Sequence, residues 1–316
     1  MSERSERGPS GPAAGLGAGG VSERSERGPS GPAAGLGAGG VSERSERGPS
    51  GSGNAQVDRL LDLLALERLG PDTFRHVNRS RRGPGGRLFG GQVASQALRA
   101  AIETVGAELH VHSLHSYFLR PGRVGVPMDL GVDRIRDGRS FATRRVVAVQ
   151  EDEAIFELSA SFHVDEPGFD VQQVLPPEAP DPEGLPPNPH EHAHHRPFDI
   201  REFGPLPGAT RSLWTRAAGT LPDDPAVHAC VLTYLSDMGP VGAARRAGPP
   251  GIPTMRASLD HVLWFHRPVR ADEWLLYNLE AVSLSGARGL ARGLVHGRDG
   301  RLVLTVGQEA LIRPVA

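Results

Sequence analysis

The sequence contains no lysine; all of its 35 basic residues are arginine. The replacement runs through the whole chain, so it marks no site. There is a single cysteine, Cys230. One thiol cannot form an internal disulfide, which points to a reducing, cytoplasmic setting. Cys230 sits in a helical pattern with Val227, Val231 and Leu232, where a buried, inert thiol is expected. No apolar run approaches the ~18 residues of a membrane span. The N-terminus shows no apolar signal core, and Arg313-Pro314-Val315-Ala316 is no peroxisomal address. A net charge of −2 gives no argument for nucleic acid or an anionic membrane as partner.

Apolar residues are also scarce, at 38% of 316. The deficit is local. Ser2 to Val21 recurs unchanged as Ser22 to Val41, and a third copy breaks off near Gly51. Each unit has almost nothing to bury, so residues 1–53 are expected to be a disordered tail. The second depleted stretch, residues 166–197, reads as a Pro/His-rich linker. Its His190, His192, His194 and His195 could suggest zinc. No regular element holds them there, so solvated linker histidines are expected.

What remains has room for a sizeable core, in two similar halves, 54–165 and 198–316. The first opens with a short leucine-rich helix stopped by Leu69-Gly70-Pro71, and a possible strand from Phe74 to Asn78. A glycine-rich turn, Gly85 to Gly91, then starts a helix to Val105. Strand patterns follow at 113–120, 127–136, 140–150 and 154–164. In the second half, strands at 198–203 and 212–218 precede a helix. Asp223-Asp224-Pro225 opens that helix and Met238-Gly239-Pro240 closes it after Asp237. A loop is expected over 243–253, then strands at 258–267, 273–283, 287–296 and 301–312. Tyr117 to Pro121 matches Trp264 to Pro268 at an offset of 147, and at that offset Ser161 falls on Gln308. The halves therefore read as a duplicated helix-plus-antiparallel-sheet unit, an α+β double hot-dog.

Arg87 to Val93, His112 to Gly122, Trp264 to Pro268 and Glu273 to Tyr277 occur in an order that resembles the acyl-CoA thioesterase II family of bacteria and peroxisomes. The resemblance covers about residues 56–314. It implies hydrolysis of fatty acyl-CoA to fatty acid and CoA. It also implies three catalytic residues: Asp237 at the end of the second helix, Ser258 two positions before Asp260-His261, and Gln308 in the last strand. Family members of the enterobacterial kind carry Thr in place of Ser258; the hydroxyl is kept.

The residue types suit the chemistry. A carboxylate can take the proton of an attacking water, and burial would raise its pKa toward neutrality. A hydroxyl and an amide can aim that water. Backbone N–H groups at a glycine-led helix start can polarise a carbonyl, although the glycines could equally serve close packing. No metal or cofactor is required. Acyl-CoA is the expected partner, with a homo-oligomer possible. Asp260 and His261 are neighbours on a strand and face opposite sides, so they are assigned structural roles. Two other readings stay open: a hot-dog enoyl-thioester hydratase, and an acyl-CoA-binding regulator without turnover.

Overall fold

The computed structural model describes residues 54–79, 86–189 and 193–315. The repeat tail, His190 and His192 lie outside them. Helix α1 (Ala55–Leu64) starts where Asn54 accepts a hydrogen bond from the Gln56 N–H at 2.9 Å. Leu69-Gly70-Pro71 is not a helix stop. It belongs to a hairpin of β1 (Glu67–Gly70) and β2 (Thr73–Val77). Helix α2 (Gly90–Ile102) is followed by β3 (Leu109–Phe118), β4 (Pro127–Asp137), β5 (Phe141–Gln150) and β6 (Glu153–Val164).

The second half opens with β7 (Phe198–Phe203) and β8 (Arg211–Ala217), then α3 (Pro225–Ser236). Asp224 caps α3 through the Ala226 N–H, and Pro225 takes the first turn, where its missing N–H costs nothing. The expected loop begins as a helix, α4 (Pro240–Arg246). Pro240 ends one helix and starts the next, a double role that hides α4 in the sequence. The expected strand 258–267 is two pieces, β9 (Thr254–Ser258) and β10 (Asp260–Phe265), followed by β11 (Leu275–Ser285), β12 (Arg288–Gly297) and β13 (Leu302–Pro314).

All strands join one antiparallel sheet. The first half contributes β1-β2-β4-β5-β6-β3 and the second β10-β13-β12-β11-β8-β7, with β9 beside β13. The halves meet where β3 pairs with β10, Tyr117 opposite Asp260. Helices α2 and α3 pack against each other inside the curl of the sheet. Ala94, Ala97, Ala100 and Ala101 of α2 are fully buried and let the axes approach. Val227, Val231, Leu232 and Leu235 make α3 apolar nearly all round, as a helix enclosed on all sides must be. Each such aliphatic side chain contributes about 1.5–3 kcal/mol by leaving water. Cys230 is buried there, and burial pushes its thiol up to about 12, so it is inert as expected.

The strand registers correct the sequence offset. Arg144 of β5 and Ala291 of β12 are 147 apart, and their partners are Ala160 and Gln308, which are 148 apart. The extra residue lies in the hairpin. Gln150 and Glu153 flank a two-residue turn, Glu151-Asp152, with φ of 48° and 65°. Gly297 and Arg301 flank a three-residue turn ending at Gly300, φ 84°. Gln308 therefore stands where Ala160 stands, not Ser161. By the same registers Ser258, opposite Ala310, stands where Val111 stands opposite Phe162. Both halves carry a one-residue bulge just beyond, at His112 and at Leu259.

Of residues 166–197, expected as a linker, the described part 166–189 forms a strap over the outer face of the second half. Trp214 donates to the Pro180 carbonyl at 2.9 Å and Trp274 to Glu183 at 2.8 Å. Trp214, Trp274 and Leu276 are buried against Ala179 and Leu185 of the strap. The described histidines of the expected linker are not simply solvated. The His194 ring stacks on Phe89 at 4.1 Å.

Candidate active site

Asp237 is the C-cap of α3, just before α4. That position places it against the N-terminus of α2, because the helices run past each other at Gly90-Gly91. A Cβ on Gly91 would sit 2.4 Å from the Tyr234 carbonyl, and one on Gly90 would sit 2.8 Å from the Asp237 carboxylate. The two glycines thus allow the close approach. They also supply a donor: the Gly91 N–H gives a 2.8 Å hydrogen bond to Asp237 Oδ2. The positive end of α2 faces the carboxylate.

Gln308 completes the arrangement from β13. Its Nε2 donates to Asp237 Oδ1 at 2.8 Å and to Ser258 Oγ at 2.8 Å. Both amide hydrogens are thereby used, which fixes the amide with nitrogen toward the carboxylate. The Ser258 hydroxyl accepts from Gln308 and reaches the Asp237 carboxylate with its own proton. All three expected residues thus meet in one cluster, formed by α3, β9, β13 and the start of α2.

Asp237 is only 7% exposed and Gln308 only 1%. Burial pushes the Asp237 pKa up to about 6; hydrogen bonds from Gln308, Gly91 and Ser258 oppose the rise. The carboxylate is ionised above that value, yet basic enough to take a proton.

Asp260 and His261 both make hydrogen bonds within the fold, on opposite faces of the strand. Asp260 Oδ1 accepts from the Glu309 N–H at 2.6 Å. His261 is fully buried on the opposite face, with Nε2 2.8 Å from Ser236 Oγ. The Ser236 hydroxyl also lies 2.9 Å from the Thr233 carbonyl, so it joins the ring to the end of α3. Burial pulls the His261 pKa down to about 4. The Gln308 amide opposes that shift, yet neither its Oε1 nor His261 Nδ1 makes a hydrogen bond of good geometry.

Sequence reasoning missed the role of Gly91 and the aromatic wall beside it. Phe89 packs on Tyr234 at 5.1 Å as well as on His194, and Tyr234 on Phe198 at 5.3 Å. The glycine pair was the available signal. The His194 contact had none, since it comes from a segment without periodicity. Among the described residues no cluster of His, Cys, Asp and Glu could hold a metal, and no helix is long and apolar enough to cross a membrane.

A curled antiparallel sheet enclosing a helix, repeated in tandem, with a buried carboxylate at the junction, defines a double hot-dog protein of the thioesterase class. Comparisons with known proteins agree. Residues 78–163 match the acyl-CoA thioesterase N-terminal domain and residues 172–312 the acyl-CoA thioesterase C-terminal domain. Mouse acyl-coenzyme A thioesterase 8 is 37% identical over 297 residues, covering 83% of this chain and 91% of that protein. The acyl-CoA thioesterase II structure from Mycobacterium marinum is 40% identical with a TM-score of 0.72, covering 81% of this chain and 99% of that one. A hot-dog-fold protein from Alicyclobacillus acidocaldarius, 19% identical, shares the fold at a TM-score of 0.67 over 82% of this chain and 99% of its own. The chain belongs to the acyl-CoA thioesterase family.

Proposed function

We propose that this protein hydrolyses acyl-CoA thioesters to fatty acid and CoA, with Asp237 as general base and Ser258 and Gln308 aiming the water. The observation that carries the residue roles is the Asp237 carboxylate, raised to about 6 and held by Gly91, Gln308 and Ser258. Asp237 takes a proton from water as the oxygen attacks the thioester carbon. The oxyanion forms beside the positive end of α2, which favours negative charge. Its collapse breaks the carbon–sulfur bond, and the proton held by Asp237 passes to the departing CoA thiolate. Ser258 and Gln308 lower the barrier by fixing direction.

A hydratase would need an Asp/His pair on one substrate, and Asp260 and His261 face opposite sides of the sheet. The reading includes a cytoplasmic setting, supported by the lone buried cysteine. It also includes self-association, supported by Tyr117 and Trp264, which are 60% and 40% exposed on the outer face. A monomeric mass in solution would remove the second point.

The test is thiol release from acyl-CoA. Asp237→Ala is expected to lower kcat by about 10²–10⁴-fold with its fold intact. The wild-type kcat/KM should fall as pH drops through about 6, because the carboxylate is then protonated. Full activity in Asp237→Ala would end the assignment.

A further inference from the structure

A second cluster lies on the elements that carry the catalytic groups. Helix α4 begins three residues after Asp237, and its last turn carries Arg245 and Arg246. Strand β9 ends at Ser258 and carries Thr254 and Arg256. These four residues line one pocket of about 610 Å³, and no carboxylate lines it. Arg246 donates to Glu202 at 2.9 Å. Arg245 is held toward the pocket wall by Thr254 Oγ1 at 3.2 Å and the Ile252 carbonyl at 2.7 Å, both neutral. The Arg256 side chain has no hydrogen bond or ion pair within the described residues and is exposed.

The pocket and the catalytic cluster share a face. Ser258 and Arg256 lie opposite Ala310 and Ile312, and both partners are buried under the sheet. Alternation then places Thr254, Arg256 and Ser258 on the inner side together. At about 3.3 Å per residue, Arg256 lies ~7 Å and Thr254 ~13 Å along the strand from Ser258. Among the described residues β9 pairs only with β13, and no strand covers its other edge.

We propose that this arginine pocket is the dock for the phosphates of the CoA moiety, with Arg256 as the principal contact. The inference rests on the acyl-CoA reading and gives it a direction. The thioester sits at Asp237, the pantetheine arm runs along the free edge of β9, and the phosphates end among Arg256, Arg245 and Arg246. Arginine suits that end, because its planar fork meets phosphate oxygens in pairs and carries a permanent charge. The pantetheine amides meet a strand edge that offers backbone donors and acceptors.

Turnover of an acyl-CoA is compared with turnover of the acyl-pantetheine of the same chain length, which has no phosphate. Arg256→Ala should raise KM for acyl-CoA about tenfold, the loss of one charge-assisted hydrogen bond, and leave kcat unchanged. Arg256→Glu should raise it further. Neither substitution should alter acyl-pantetheine kinetics. Binding of free CoA, read by calorimetry, should weaken in step with KM. Unchanged CoA binding in Arg256→Glu overturns the dock, as does an equal KM rise for both thioesters. If the wild type releases thiol from neither substrate, the hydrolase reading fails. The CoA-binding comparison still decides the dock.

Discussion

The two halves share a scaffold and differ at the residues that matter. In the second half Gln308 lies opposite Ala291; in the first, Ala160 lies opposite Arg144. The large polar residue has changed strands across the same pair. Ser258 is matched by Val111, which has no hydroxyl. The helix C-caps are Asp237 and Glu103, but they point differently. Asp237 turns inward to Gly91 and Gln308, whereas Glu103 turns out to Arg68 and Arg99. In the first half Arg144 fills the interior instead, donating to the Thr104 hydroxyl at 2.8 Å and the Thr104 carbonyl at 3.0 Å. One half presents a carboxylate that can move a proton. The other presents a buried cation locked in hydrogen bonds.

The outer faces differ too. The pair Trp214–Leu276 in the second half corresponds to Arg75–Asp129 in the first. The apolar pair lies under the strap; the ion pair is near 40% exposed and stands in solvent. A duplicated sheet thus became polar where it stayed bare and apolar where the strap covers it.

The sharpest way to test the contrast is to remove Gln308. Gln308→Ala puts the first half's residue into the second. It should lower kcat by about 10²–10³-fold, the scale of one preorganised catalytic hydrogen bond. Ser161→Ala, at the position the sequence offset alone would select, should leave kcat unchanged. Among the described residues the Ser161 hydroxyl is hydrogen-bonded to His112 at 2.8 Å, away from the Asp237 cluster. Equal losses in both variants would mean that the register argument is wrong.

Much of this site could be read without a structure. Helix punctuation, a cap before and Gly239-Pro240 after, puts Asp237 at a helix end, but its role, like those of Ser258 and Gln308, comes from the family resemblance. The duplication was visible in two Arg-Pro strand ends. Ser258 and Gln308 rested on family resemblance, since a lone strand hydroxyl or amide has no chemical signature. The false Ser161 equivalence has a plain cause. One residue inserted in a hairpin leaves the strand patterns intact and reverses which face each residue takes. The strap was hidden for another reason. Its cover depends on Trp214 and Trp274 finding partners at Pro180 and Glu183, and composition records no such pairing.

Arg144 offers the reverse experiment. It is 1% exposed, and its partners include the buried Thr104. Arg144→Met keeps most of the volume but strands the Thr104 acceptors. A loss of about 1–3 kcal/mol is expected in urea unfolding, the cost of leaving buried acceptors unpaired. kcat should be unaffected, because the hydrogen-bond partners of Arg144 are Thr104, Arg136, Thr143 and Asp137, none of them in the Asp237 cluster. A drop in kcat without a drop in stability would make Arg144 part of the working site.

The smallest signal lies in how stability varies with pH, and it comes from two groups on the working side. Asp237 is raised from 3.8 to about 6, so between those values the folded chain holds a proton that the unfolded chain has released. Its contribution to stability therefore falls as pH rises through that window. His261 is lowered from 6.5 to about 4, so between those values the unfolded chain holds the extra proton. Its contribution rises with pH over nearly the same window. In the wild type the two slopes oppose each other. Asp237→Asn removes the falling slope, so its stability should climb more steeply than the wild type's between pH 5 and about 6. His261→Gln removes the rising one and should climb less. Unfolding midpoints of the three proteins across that range should therefore fan out with the wild type in the middle. Parallel curves would mean that neither group is shifted by burial, and the general-base role of Asp237 would lose its electrostatic support.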